Sequence, residues 1–170
     1  MQSSTLTNEQ VYTKLKEVFG DSIITNEEPF GILTLEVANH ELHNMISWLN
    51  KDKEFSINFL TLLGAVHYPE EKGREIAVVY HLHTLVNNFR IRLKVYLPID
   101  NASVKTITDI YLGANWMERE TFDFYGVKFE GHPNLTRILN ADEVDYHPML
   151  KQYRLEDATR EDKDDKFFGR

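Results

Sequence analysis

The side chains best equipped for chemistry in this chain cluster between Trp116 and Leu139. Glu118, Glu120 and Asp123 are carboxylates, and Glu120 and Asp123, spaced i, i+3, share one face of a helix. Two carboxylates held close are the raw material of general acid–base catalysis. On a single helix they more often form ion pairs or caps, and nothing in the sequence supplies a substrate pocket. Arg119 stands between two glutamates amid Trp116, Met117, Phe122, Phe124 and Tyr125. Arginine among aromatics is the composition of a buried protein–protein contact. Gly126 and the Gly131-His132-Pro133 corner then turn the chain away from the helix. The pattern favours an interaction module over an active site.

Other candidates are weaker. His40-Glu41-Leu42-His43 places its second histidine at i+3, not the i+4 of zinc proteases. His81 and His83 share a strand face at a chelating spacing, but no third ligand lies nearby in sequence. There is no cysteine, so disulfides, thiolate catalysis and cysteine-held clusters are excluded within the 170 residues. Neither of the glycine-rich phosphate-binding patterns is present, nor a nucleophile elbow. A formal net charge of −8 argues against a nucleic-acid footprint. The first residues, Met1-Gln-Ser-Ser-Thr5, do not read as a secretory signal. The apolar-rich run from Phe59 to Val66 is far short of the roughly 20 residues of a membrane-spanning helix.

The elements that must position these groups follow from periodicity. Thr7 with Gln10 forms a capping-box pattern, and Val11, Leu15, Val18 and Phe19 make one face of a helix over 8–19 that Gly20 ends. Ser22–Thr25 and Ile32–Val37 read as strands. A second helix over Glu41–Leu49 is expected, capped by Asn39, with Leu42, Met45, Ile46 and Leu49 as its stripe. Three strands are expected over Ser56–Val66, Glu75–Leu85 and Asn88–Leu97, joined by loops at Glu70–Gly73 and Val86–Asn88. The last strand alternates Phe89, Ile91, Leu93, Val95 and Leu97 with Arg90, Arg92, Lys94 and Tyr96, so one face is buried and one is wet. A third helix is expected from about Thr108 to Phe124, broken at Gly113. The order predicts an α+β fold, a two-layer domain with helices on a mixed or antiparallel sheet of about five strands.

The character changes after Leu139. About half of the residues from Asp142 to Arg170 are charged, and no helical or strand period survives. Tyr146, Met149, Leu150, Tyr153, Leu155, Phe167 and Phe168 are scattered among them, more apolar anchors than a disordered segment usually carries. The division expected is a domain over 1–139 and an extended charged tail over 140–170 that docks on partner chains.

Glu118 to Leu139 reads E-R-E-x-x-D-F-Y-G-V-x-F-x-G-H-P-x-L-x-R-I-L. This closely resembles the signature of the 30-kDa subunit of respiratory complex I, in bacteria the C-type subunit of NADH-quinone oxidoreductase. Chain length and element order resemble that family too. Many members carry a second block, Gly-His-Pro-Leu-Arg-Lys-Asp-Phe-Pro. Here it reads Tyr146-His-Pro-Met-Leu-Lys-Gln-Tyr-Arg154, which keeps His147, Pro148, Lys151 and an aromatic at Tyr153. Thr136 stands where the family usually has a basic residue.

The resemblance implies a non-catalytic structural subunit of the hydrophilic arm of a proton-translocating NADH:quinone oxidoreductase. It implies a peripheral place on the cytoplasmic side of the bacterial inner membrane. The implied partners are the 49-kDa-type (D-type) subunit at the quinone site and the neighbouring B-type subunit, with the ferredoxin-like I-type subunit as a further neighbour. FMN, iron–sulfur clusters and quinone are implied to bind other subunits, leaving no cofactor, metal or catalytic residue in this chain. Glu118, Arg119, Glu120, Asp123, Gly126, Gly131, His132, Pro133, Arg137, His147, Pro148 and Tyr153 are the implied signature and interface positions. The alternatives are the equivalent subunit of a membrane-bound hydrogenase or ferredoxin-dependent complex and, from another class, a stand-alone metal- or carboxylate-dependent enzyme.

Overall fold

In the computed structural model, which describes residues 6–153, one sheet of five strands organises the domain. The chain runs α1 (Asn8–Phe19), β1 (Ile23–Glu27), β2 (Leu33–Val37), α2 (Asn39–Lys51), β3 (Phe59–His67), β4 (Ile76–Thr84) and β5 (Phe89–Leu97). It continues through β6 (Ser103–Lys105), α3 (Ala114–Tyr125) and β7 (Lys128–Glu130). The sheet order is β1-β2-β5-β4-β3, with β2 and β5 parallel and the other pairs antiparallel. This is the α+β class that the hydrophobic pattern predicts, with a mixed sheet.

The register explains the core. Leu33 and Leu82 both flank Ile91, Leu35 and Tyr80 flank Leu93, and Leu63 lies against Tyr80, so their side chains share one face. That face meets Val11 and Leu15 of α1, Leu42, Met45, Ile46 and Leu49 of α2, and Ala114 of α3 in one hydrophobic core. Burial at about 25 cal/mol per Å² makes this layer the main favourable term for the fold. The capping box on α1 forms as the sequence requires: the Gln10 N–H donates to Thr7 Oγ1, and the Thr7 N–H to Gln10 Oε1.

Three local expectations are corrected. Asn39 is the first residue of α2 and does not cap it; Ala38 holds the cap position, and the Asn39 amide donates to the Ser103 carbonyl at 2.9 Å. That bond ties α2 to β6, a better use of a side chain that faces a strand. The third helix begins at Ala114, not near Thr108. Residues 107–111 form a tight turn, because Tyr111 is buried and its hydroxyl donates to the Ile57 carbonyl on the far side of the core. The pattern also omits a second sheet, in which β6 and β7 pair in parallel around α3. Each has three residues, too few to show a period.

Candidate functional site

The signature residues lie along α3 and on the strap that follows it, and their contacts turn inward. α3 ends at Gly126, which takes φ +79° and returns its N–H to the Phe122 carbonyl at 2.8 Å. The left-handed conformation favours glycine there. A Cβ would also lie 2.8 Å from Cδ2 of His147, whose ring rests on this glycine and meets Phe122 edge-on.

Asp123 is fully buried and organises the strap. Its Oδ2 accepts three successive backbone N–H groups, from Ile138, Leu139 and Asn140, at 2.9–3.1 Å. Its Oδ1 accepts the Arg137 guanidinium at 2.7 Å and the Asn140 side-chain amide at 3.0 Å. Successive N–H groups converging on one oxygen form an anion nest, here filled by the chain's own carboxylate. Burial alone would raise the acid. The donors from Asn140, Leu139 and Arg137 outweigh it and hold Asp123 well below the ordinary carboxylate range.

The other signature positions extend this clasp. Arg137 also donates to the carbonyls of Asp123 and Tyr146. His147 Nδ1 donates to the Asp123 carbonyl at 2.9 Å. Arg119 donates to the carbonyls of Thr136 and Arg137 at 3.1 and 2.9 Å. His132 joins the two ends of its corner: Nε2 donates to the Asn115 carbonyl, and Nδ1 accepts the Asn134 N–H. That pairing requires the neutral Nε2–H tautomer. Gly131 takes φ +83° to make the turn.

Glu118 is equally buried but differently supplied. It accepts the Ile107 N–H at 2.8 Å and the Thr106 hydroxyl at 2.5 Å, holding the segment before α3. Burial pushes its carboxyl up to about 7, against the pull of Ile107 and Thr106, and Asp109 adds to the rise. Glu120 is exposed and lies apart, so the i, i+3 pair with Asp123 is not assembled into an acid–base site. Pro133 is exposed as well.

Packing continues beyond Leu139. The Met149 N–H donates to the Phe124 carbonyl and the Lys151 N–H to His67 Nδ1 at 2.9 Å, while Leu150 joins the hydrophobic core. Tyr146 and Tyr153 stack with centroids 4.7 Å apart, and Pro148, Met149 and Tyr153 line a shallow groove with Val66 and Tyr125. The expected tail therefore begins as a strap on its own domain; residues 154–170 lie outside the described region. Sequence reasoning missed Thr106, Asn140 and His67 as partners, since nothing local marks a residue whose partner lies 12 to 84 positions away.

The histidine pairs serve locally. His43 bonds Asp109 at 2.9 Å, and His81 accepts from Arg92 at 3.2 Å. Among the described residues, no three histidine or acidic side chains converge in a metal-holding group. No helix there is long and apolar enough to cross a membrane.

A family model described as respiratory-chain NADH dehydrogenase, 30 Kd subunit, matches residues 35–159. The chain belongs to this 30-kDa subunit family. The NADH-quinone oxidoreductase C subunit of Geobacter sulfurreducens is 36% identical over 154 residues, covering 91% of this chain and 94% of that protein. The C subunit of a Nocardioides species is 39% identical over 125 residues, covering 74% of this chain and 50% of the relative, so this chain spans about half its length. Among solved structures, the trypsin-resistant fragment of Nqo5 aligns with a TM-score of 0.63 at 28% identity, covering 74% of this chain and 98% of the fragment. The membrane-bound sulfane sulfur reductase, an archaeal respiratory membrane complex, shares the fold with a TM-score of 0.73 at 24% identity, covering 86% of this chain and 85% of the other. Asp123, Arg119, Arg137, His132 and His147, all within the matched range, are the hydrogen-bonding members of the clasp.

Proposed function

We infer that this chain is a structural, non-catalytic subunit of the peripheral arm of a proton-translocating NADH:quinone oxidoreductase. It docks on the 49-kDa-type subunit of the quinone site and on the B-type subunit beside it, with the ferredoxin-like I-type subunit as a further neighbour, on the cytoplasmic side of a bacterial inner membrane. The observation that carries the reading is the saturation of Asp123. Its carboxylate holds five donors from its own chain, so it has no capacity left to act on a substrate. Arg119, His132, Arg137 and His147 are likewise engaged with backbone carbonyls of this chain. Such an arrangement fixes the shape of a surface.

The strap leaves Leu139, Tyr146, Met149 and Tyr153 outward-facing, an apolar rim of the kind that interfaces cover. We place the contact with the 49-kDa-type subunit on this rim and on the residues that follow it. The chemistry of FMN, iron–sulfur clusters and quinone then belongs to other subunits. A second reading, the equivalent subunit of a related membrane complex with another electron donor, draws on the fold shared with the sulfane sulfur reductase. The names of the two sequence relatives described above, both NADH-quinone oxidoreductase C subunits, favour the first.

The test is affinity capture of the tagged full chain, and of a form truncated after Tyr153, from detergent-solubilised membranes. The full chain is expected to bring down the homologues of the 49-kDa-type and B-type subunits, and the truncated form much less. Capture of no respiratory subunit by the full chain would sink the assignment. A hydrogenase-type large subunit in their place would select the second reading.

A further inference from the structure

The helices cover one face of the five-stranded sheet, and the opposite face has its own organisation. By register, Arg90, Arg92 and Lys94 of β5 stand on it beside His83, His81 and Val79 of β4, and those in turn beside Phe59, Leu62 and Gly64 of β3. The result is a basic row next to an apolar row. Phe59, Leu62 and Val66 are 47%, 52% and 38% exposed. A Cβ placed on Gly64 between them meets no atom within 4 Å, so the face is open at that point.

The basic row is out of keeping with the rest of the chain. Acidic residues outnumber Lys and Arg to give a formal charge of −8. Yet no ion pair among the described residues reaches Arg90, Arg92 or Lys94. The acid on the neighbouring strand, Glu36, is already held by Arg74 through two hydrogen bonds of 2.9 and 3.1 Å. Arg92 is oriented by its bond to His81, which keeps the guanidinium within the face. Lys94 stands beside Glu36 and lines a groove with it and Glu27, whereas Arg90 and Arg92 have no ion-pair partner among the described residues, and an acidic partner would relieve their mutual repulsion. The apolar row lies on β3, the last strand of the sheet, against which α3 packs; Phe59 and Leu62 nevertheless face outward, apolar surface of the kind a partner covers.

We propose that this open sheet face is a second docking surface, for a segment of another subunit that sets carboxylates over Arg90 and Arg92 and apolar side chains over Phe59 and Leu62. The inference rests on the subunit role argued above and adds the chemistry of one partner. The surface lies on the sheet face away from the helices, and Arg90 and Arg92 take no part in the Asp123 clasp, so the two can be disrupted separately. An anionic membrane surface is the less favoured occupant, because a chain of net charge −8 is repelled by it as a whole.

The test uses the tagged full chain in its own membranes. R90E/R92E reverses the row; R90Q/R92Q removes its charge without adding repulsion, in case the first variant folds poorly. Thermal melts of both are read beside the wild type. At unchanged melting temperature, either variant is expected to capture at least roughly tenfold less of one partner subunit, the loss expected when a desolvated charge contact is removed. A photo-reactive benzoylphenylalanine at Leu62 is expected to crosslink to an acidic stretch of that same partner. Equal capture by wild type and both folded variants overturns the surface while leaving the subunit role intact. No respiratory subunit captured by the wild type overturns the subunit role itself. A crosslink from Leu62 to this same chain means a second copy or its own terminus occupies the face, which also overturns the proposal. So does loss of flotation of the variants with vesicles containing anionic phospholipid, when capture of partners is unaffected.

Discussion

Glu118 and Asp123 sit five residues apart on α3, both without solvent exposure, and they are driven in opposite directions. At Glu118 two donors meet the carboxyl and burial prevails, raising it to about 7. At Asp123 five donors, one of them a guanidinium, prevail over burial and keep the acid ionised. Deeper burial around Glu118 and more donors at Asp123 together separate the two ends of the helix. The Glu118 end can take up a proton near neutrality, because the Thr106 hydroxyl that donates to it also lies 3.0 Å from the Thr108 hydroxyl and can turn. The Asp123 end has no such freedom, since backbone N–H groups cannot reverse their direction.

The largest effect is therefore expected from Asp123→Asn. The amide nitrogen turns toward donors, and the Arg137 guanidinium is left largely buried without its charged partner. Removing one member of a buried charge pair costs about 3–5 kcal/mol. Urea unfolding of the variant should show that loss, and protease cleavage should appear between residues 137 and 147. A loss below about 1 kcal/mol, the worth of an ordinary hydrogen bond, would mean that the clasp is decoration.

Glu118 supplies the next test, through pH. Its folded value of about 7 exceeds the ordinary 4.5, so between those values the folded state holds the extra proton. Its contribution is present in full below 4.5 and is lost as pH rises through 7. Asp123 has the opposite sign: its contribution is present above the ordinary 3.8 and is lost as pH falls toward its depressed folded value. Glu118→Gln should reduce the decline in stability between about pH 5 and 8 by roughly 2–3 kcal/mol at most. His67 is lowered from its ordinary 6.5 by burial and then by Lys151 and so adds its own pH dependence, which makes the difference between variant and wild type the quantity to read. Parallel pH curves would erase the contrast between the two ends.

These two ends were unequally legible in the sequence. The alternation in β5, the stripe of α2 and the capping box at Thr7 and Gln10 are local, and each took the form its pattern predicts. The signature from Glu118 to Leu139 identified the family, which the match over 35–159 bears out. The roles inside that signature were not readable. The sequence reads Asp123 as an ion-pairing or capping carboxylate on its own helix, and its true donors, 14 to 17 residues downstream, leave no local mark. Leu150 looked like part of a departing tail because strand and helix periods are absent there, although the strap buries it without either. β6 and β7 are created by α3 itself, which brings two three-residue pieces together.

Gly126→Ala probes how tightly the Asp123 end is built. A left-handed conformation costs a residue with a Cβ roughly 1–2 kcal/mol, and the 2.8 Å approach to His147 adds to it. A total of roughly 2 kcal/mol is expected in urea unfolding. In the Gly126→Ala background, His147→Ala should cost about 1 kcal/mol less than in the wild type, because the ring that clashes is gone. Additive losses would place His147 away from Gly126 in solution.

Arg119 should show the smallest effect on stability and the most informative one on assembly. It touches no carboxylate among the described residues, only the carbonyls of Thr136 and Arg137, which water can reach once the guanidinium is removed. Arg119→Ala should therefore cost only about 1 kcal/mol in the isolated chain. Those two carbonyls belong to the stretch that enters the Asp123 nest, so loosening them blurs the strap's outer surface without unfolding the domain. If that surface receives another subunit, the amount of assembled complex falls while turnover per assembled complex stays at the wild-type level. Native gels with in-gel activity separate the two quantities. Normal assembly with lost turnover would move Arg119 out of the scaffold and toward the chemistry. A fall in assembly far beyond the stability loss would show that the strap's shape is what the partner recognises.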